Sequence, residues 1–251
     1  MSDLLEIKNL RKSFGPVDVL RGVNLTLHKG EVLAVVGDNG AGKSTLIKHI
    51  AGVYHQDLGD ITLDGSKVDF ASPKEGREAG IETVYQDLAL ADELSVGANI
   101  FLGREPIKKL FGLFPTIDNQ KILEETENLI NRIESHIPPK APNVAGLSGG
   151  QRQAVAIARA LYWKAKVVIL DEPTAALAVM ERDNVVKLSK LLASEGVGVI
   201  YVGHNLVEIL DVADRVAVMF QGQVVHVTRS EDTTQEELIK YMTGFSETKV
   251  A

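Results

Sequence analysis

Residues Glu31 to Thr45 read EVLAVVGDNGAGKST. The apolar run Val32 to Val36 is continuous rather than alternating, which predicts a strand covered on both faces. Glycines and a helical run from Lys43 follow at once, so the strand feeds a helix through a tight loop. From Gly37 through Lys43 to Ser44 the loop satisfies G-x-x-x-x-G-K-[ST] in full. Gly37, Gly40 and Gly42, with Asp38, Asn39 and Ala41 between them, let the backbone wrap a phosphate. The N–H groups at the start of the helix, through Thr45, face its negative charge. Lys43 reaches the β- and γ-phosphates and Ser44 offers a hydroxyl to Mg²⁺.

Such a loop needs a carboxylate to hold Mg²⁺ at the end of a neighbouring buried strand. VVILDE, ending at Glu172, supplies it: Asp171 follows four apolar residues, and Glu172 lies one step beyond, toward the cleft. Ordinary strand-to-loop capping has the same appearance. With Asp171 occupied by metal, Glu172 is the candidate general base for water in line with the γ-phosphate. Two more polar residues end apolar strands, Gln86 after IETVY and His204 after VGVIYVG. The amide coordinates metal or water without adding charge, and the histidine donates to the γ-phosphate; both also read as solvated strand caps. Parallel strands in such sheets end along one crevice, which favours the functional reading. A second anion-holding arrangement is present: LSGGQRQ, Leu147 to Gln153, places Ser148, Gly149 and Gly150 at the start of a helix.

The flanking sequence extends the strand–helix alternation. LLEIKNL, VNLTL and DITLDGSKVDF read as strands, with Asp64-Gly65 as a hairpin turn. Ser72-Pro73 opens a short helix to Gly80, and IETVYQ is another buried strand. From Asp87 to about Pro142 strand signals fade and helical runs take over, notably DNQKILEETENLINRIES with Asp118 as N-cap. Afterwards AKVVILDEP and VGVIYV read as strands, with helices near Val179 to Ser194 and from Asn205. RVAVMF-QG-QVVHV reads as a hairpin and TTQEELIKYM as a closing helix. The alternation implies an α/β protein with a mostly parallel sheet covered on both faces.

Composition limits the partners. A chain of 251 residues with 45% hydrophobic residues suits one core carrying a lobe or insertion. Its net charge of −7 argues against broad capture of nucleic acid or anionic lipid. The absence of cysteine excludes disulfides and thiolate metal sites. The N-terminus shows no signal peptide, and no window approaches the roughly 18 uninterrupted apolar residues of a spanning helix. The chain is expected to be soluble and cytoplasmic, reaching a membrane through partner proteins without inserting itself.

In order, the phosphate loop, Gln86, LSGGQRQ, VVILDEP and His204 resemble the nucleotide-binding subunits of ATP-binding-cassette (ABC) transporters. The resemblance covers essentially the whole chain. It implies one ABC ATPase domain over 1–251, a P-loop core with a mostly parallel sheet and an antiparallel β subdomain at the N-terminal side. The core is expected over 1–86 and 143–228, an inserted α-helical lobe over about 87–162, and a C-terminal helix and tail over about 229–251. ATP and Mg²⁺ are the implied cofactors. Phe14 matches the aromatic that stacks on adenine, although a core aromatic looks alike in sequence. Gln86, Glu172 and His204 match the metal-and-water glutamine, the catalytic base and the γ-phosphate switch. Ser148, Gly149, Gly150 and Gln151 match a signature that closes on ATP held by another subunit.

Within the family, ASPKEGREAGI, VYQDLAL, ELSVGANIFLGREP and EPTAAL are similar to bacterial importers of simple sugars. That implies a second cassette, identical or not, integral membrane permease subunits, a sugar-binding protein acting indirectly, and a place on the inner face of the membrane. Export is not excluded by these motifs. Ala178 stands where many cassettes have aspartate, so a cross-subunit contact from that side chain is in question, and Gly203 precedes the histidine where Ser or Thr is common. A soluble cassette ATPase acting on nucleic acid or ribosomes and a P-loop kinase are the rival readings. Neither a long coiled-coil insertion nor tandem cassettes support the first, and the second has no use for a signature acting in trans.

Overall fold

The computed structural model describes residues 2–110, 113–133, 135–175 and 177–244. The chain opens with β1 (Asp3–Phe14) and β2 (Val17–His28), two long antiparallel strands whose alternating residues, Leu5, Ile7 and Leu10 against Leu20, Val23 and Leu25, are buried. After β3 (Val32–Val36) and α1 (Lys43–Ile50) come β4 (Leu58–Leu63) and β5 (Ser66–Val68). Asp64 and Gly65 join them with φ of 53° and 76°, the left-handed pair that an Asp-Gly hairpin turn requires. These four strands form an antiparallel sheet in the order β2-β1-β4-β5.

The chain continues through α2 (Pro73–Ala79) and β6 (Ile81–Val84). Ser72 caps α2 by accepting from the Glu75 N–H, and Gly80 ends it with φ of 100°. Next come α3 (Val96–Phe101), β7 (Ile107–Leu110), β8 (Phe114–Ile117), α4 (Asn119–Arg132) and α5 (Gly149–Tyr162). The chain closes with β9 (Val167–Asp171), α6 (Val179–Ser194), β10 (Gly198–Val202), α7 (Leu206–Val212), β11 (Arg215–Phe220), β12 (Gln223–Arg229) and α8 (Gln235–Met242). A six-stranded sheet runs β12-β11-β3-β10-β9-β6, parallel throughout except for the edge strand β12. Every residue of β3 and β10 is buried, as continuous apolar runs require of strands covered on both faces. The protein is therefore α/β, with the mostly parallel sheet and N-terminal antiparallel sheet expected.

The chain divides into two compact units. One comprises Met1–Gln86, Ala165–Pro173 and Ser189–Ala251; the other comprises Asp87–Lys164 and Thr174–Leu188. The second is largely helical. Asp118 caps α4 by accepting from the Lys121 N–H, and Leu129 and Ile130 are buried on one face. The expectation that strand signals fade across this region needs correction, because β7 and β8 pair as an antiparallel hairpin with Ile107 opposite Ile117. Ile107, Phe114 and Ile117 are all exposed. Among its residues of described burial none is buried, so the hairpin shows no half-buried, period-two face there. The expected closing helix is α8, while residues 245–251 of the expected tail lie outside the described residues. Among the described residues no helix is long and apolar enough to cross a membrane.

Candidate active site

The phosphate loop sits between β3 and α1. Gly37, Gly40 and Gly42 take φ of 156°, 85° and 103°, conformations that side chains rarely adopt. A Cβ on Gly37 would run into the Met219 carbonyl oxygen, and one on Gly42 would meet Leu20 Cδ2 at 3.0 Å and the Val19 oxygen at 3.1 Å. Gly42 is also the N-cap of α1 and provides no side-chain cap, so the first N–H groups of the helix face the loop without a local acceptor side chain. Asp38, Asn39 and Gly40 are exposed at the rim, with Ser44 exposed and Thr45 partly exposed on the first turn. Lys43 is buried, and its Nζ donates to the carbonyls of Gly37 at 2.7 Å and Asp38 at 3.1 Å. Burial pushes the ammonium pKa down against the pull of Glu172, Asp38 and Asp171.

The ends of β9 and β10 bring further polar groups to this loop. In the parallel register Asp171 lies opposite Val202. Asp171 is half-buried, and burial together with the Glu172 charge raises its carboxyl pKa, with Lys43 and Lys48 opposing the shift. Glu172 takes φ of 49°, which is uncommon for a residue with a side chain, while its N–H stays tied to the Val202 carbonyl at 2.9 Å. Backbone strain of this kind gathers at functional sites. The Glu172 Oε2 lies 3.9 Å from His204 Nδ1. His204 is exposed just before Asn205, which caps α7 by accepting from the Val207 and Glu208 N–H groups. Gly203 is buried outside the left-handed region, and a Cβ there would sit 3.2 Å from Ile209 Cδ1. Gln86 is exposed two residues beyond β6, the strand parallel to β9.

The structure thus brings Lys43, Asp171, Glu172 and His204 together. Asp171, Ser44 and Gln86 offer only oxygen donors, with a single carboxylate among them, and Asp171 sits beside a second negative charge. That donor chemistry fits Mg²⁺, which takes one or two carboxylates together with phosphate and water oxygens.

Phe14 ends β1 with 42% of its surface exposed and is outside the core. Tyr54 packs edge-on against it at 5.3 Å, and Lys12 Nζ lies 5.6 Å over its ring. Asp57 holds Lys12 at 2.8 Å and accepts the Ser13 N–H at 2.7 Å, fixing the strand end that carries Phe14. Sequence reading had no periodic signal for Tyr54 or Asp57, which lie about forty residues along the chain from their partners.

The signature segment belongs to the other compact unit. Ser148 caps α5 in a capping box: its Oγ accepts from the Gln151 N–H at 3.3 Å, while its own N–H donates to Gln151 Oε1 at 3.0 Å. The Gln151 side chain also donates to the His136 carbonyl at 2.9 Å. Neither Gly149 nor Gly150 is left-handed. Their smallness answers close packing instead, since a Cβ on Gly149 would lie 2.7 Å from Leu177 Cδ2 and one on Gly150 would lie 3.0 Å from Glu181 Cβ and Cγ. Glu181 itself was not a sequence candidate. Its only sequence signal is its place three residues after Ala178, whose N–H it accepts at 3.2 Å.

A family model described as ABC transporter matches residues 20–175. The xylose/arabinose import ATP-binding protein of Sulfolobus acidocaldarius is 47% identical over 250 residues, covering 100% of this chain and 98% of that protein. The galactose/methyl galactoside import ATP-binding protein of Clostridium perfringens is 38% identical over 243 residues, and there the chain spans about half of the relative, 46% of its length. A solved dimeric post-hydrolysis ATP-binding cassette bound to ADP and phosphate superposes with a TM-score of 0.75 at 25% identity, covering 90% of this chain and 99% of that one. The chain belongs to the ABC transporter family, whose nucleotide-binding ATPase domain it forms.

Proposed function

Taking membership of that family as the premise, we propose that this chain hydrolyses ATP to drive import of a simple sugar through partner membrane subunits. The observation that carries the chemistry is the meeting of Lys43, Asp171, Glu172 and His204 at the carboxyl ends of adjacent parallel strands. The import names of its relatives support the sugar class.

In this reading the adenine stacks on Phe14, and the backbone of residues 37–45 wraps the phosphates. Lys43 leaves its carbonyl partners to neutralise charge on the β- and γ-phosphates. Asp171, Ser44 and Gln86 would hold Mg²⁺, which when bound neutralises phosphate charge. Glu172 accepts the proton of a water whose oxygen attacks the γ-phosphorus, and the bond to the ADP oxygen breaks in line. His204 donates to the γ-phosphate as charge develops. Ser148, Gly149, Gly150 and Gln151 complete the site of a second cassette, most simply another copy of this chain. A sugar-binding protein would deliver cargo outside, with this subunit held on the inner membrane face by the permease.

The test is Glu172→Gln in the reconstituted transporter. Turnover is expected to fall at least about 100-fold, equivalent to about 2.7 kcal/mol of barrier, with Mg-ATP binding retained. Wild-type turnover would remove Glu172 as the base. Stimulation of ATP hydrolysis by a pentose or hexose, with its binding protein present, is expected; stimulation by nucleic acid alone would overturn the transport assignment.

A further inference from the structure

The start of α5 already holds an anion. The Gly150 N–H donates to Glu181 Oε1 at 3.1 Å, and the Ser148 hydroxyl donates to the same carboxylate. These are the two kinds of donor, a helix-start N–H and the signature hydroxyl, that the signature offers to an anion when it completes the site of a second cassette. The other oxygen, Oε2, accepts the Ala178 N–H at 3.2 Å. These three hydrogen bonds hold the Glu181 carboxyl below the usual carboxylate range. Gly150 makes the approach possible, because a Cβ there would press on Glu181 at 3.0 Å.

We propose that Glu181 is a stand-in for the γ-phosphate, seated on the signature of the single subunit and displaced when a second cassette presents its ATP. The inference rests on the trans role of the signature given above. One N–H lies along one acceptor direction, and a carboxylate and a phosphate sharing it would put like charges about 3 Å apart. Occupation by one therefore excludes the other. The geometry also supplies the means of exchange: Glu181 is partly exposed, so leaving Gly150 opens no core cavity. Oε2 can keep the Ala178 N–H while Oε1 swings away. The stand-in keeps the signature donors satisfied and in phosphate-binding geometry beforehand, and it sets a threshold that only a competing anion can overcome.

A plain alternative is that Glu181 does no more than cap α6. Full-length protein with Mg²⁺ and a non-hydrolysable ATP analogue separates the two by sedimentation. Glu181→Gln removes the charge, and Glu181→Asp keeps charge and cap but cannot reach Gly150. Either variant that melts like the parent is expected to pair at an analogue concentration at least about threefold lower, with binding of ADP to the single subunit unchanged. Pairing that is unchanged or weaker in both variants overturns the proposal, as does early melting of both without tighter pairing. Ser148→Arg tests the underlying reading separately. If it still pairs and turns over, the signature is not a trans site. If it abolishes pairing while neither Glu181 variant tightens it, the trans reading stands and the stand-in falls.

Discussion

Two glycine-rich helix starts in this chain look alike on paper and are built in opposite ways. At α1 the glycines lie in left-handed or strained backbone, the N-cap has no side chain, and the helix start is kept open for an outside acceptor. At α5 the glycines are conformationally ordinary, the cap is reciprocal, and a carboxylate from the same chain is already bound. The first is a cradle made by backbone shape, the second a helix end made by side-chain donors. Glycine therefore serves two physical ends here: freedom of φ in one place, absence of bulk in the other.

The contrast predicts a graded series of effects. The largest belongs to the cradle: Lys43→Ala should reduce ATP turnover at least about 100-fold, since no other buried ammonium is built into the loop among the described residues. Steady-state phosphate release is the measurement, and unchanged Mg-ATP turnover would contradict its role. Backbone substitution should separate the two starts next. Gly42→Ala, at φ of 103° and with Leu20 and the Val19 carbonyl in the way, should cost about 1–3 kcal/mol. Gly149→Ala needs only the flexible end of Leu177 to move and should cost under about 1 kcal/mol. Denaturant melts of both variants would reveal equal costs if the contrast were wrong.

Phe14→Ala should weaken ATP affinity about tenfold, or about 1.4 kcal/mol, through lost stacking on the adenine. Titration with a fluorescent nucleotide reads this directly, and a core role for Phe14 would appear instead as lost stability with affinity intact. Ser148→Ala should have the smallest effect on nucleotide binding by the isolated chain. Loss of the N-cap acceptor costs about 1 kcal/mol of stability, and single-subunit ATP affinity stays within twofold. A marked drop in that affinity would mean that the signature serves its own nucleotide.

Where the sequence was legible, the signal was local. A continuous apolar run identified β3, helical spacing and the cap Asp118 identified α4, and Ser72 and Asn205 stand at helix starts that the sequence marked. The phosphate loop was legible because its chemistry is contained in eight consecutive residues. The β7–β8 hairpin was missed because none of its residues of described burial is buried. Tyr54 beneath Phe14 and Glu181 beside Gly150 were missed because each contact joins residues with no repeating spacing, the latter 31 positions apart.

By itself, then, the sequence determined the class of the protein and its candidate reactants: a continuous apolar strand, a phosphate loop, a strand-end Asp-Glu pair and a signature serine. These follow from the short-range rules of side-chain burial and backbone freedom, which a linear chain displays openly. Only the tertiary structure decided that β6, β9, β10 and β3 lie side by side, so that Lys43, Asp171, Glu172 and His204 come together. It alone placed Glu172 in left-handed backbone and seated Glu181 on the signature. Those outcomes depend on sheet register and on packing between segments distant in sequence, and no local propensity encodes either.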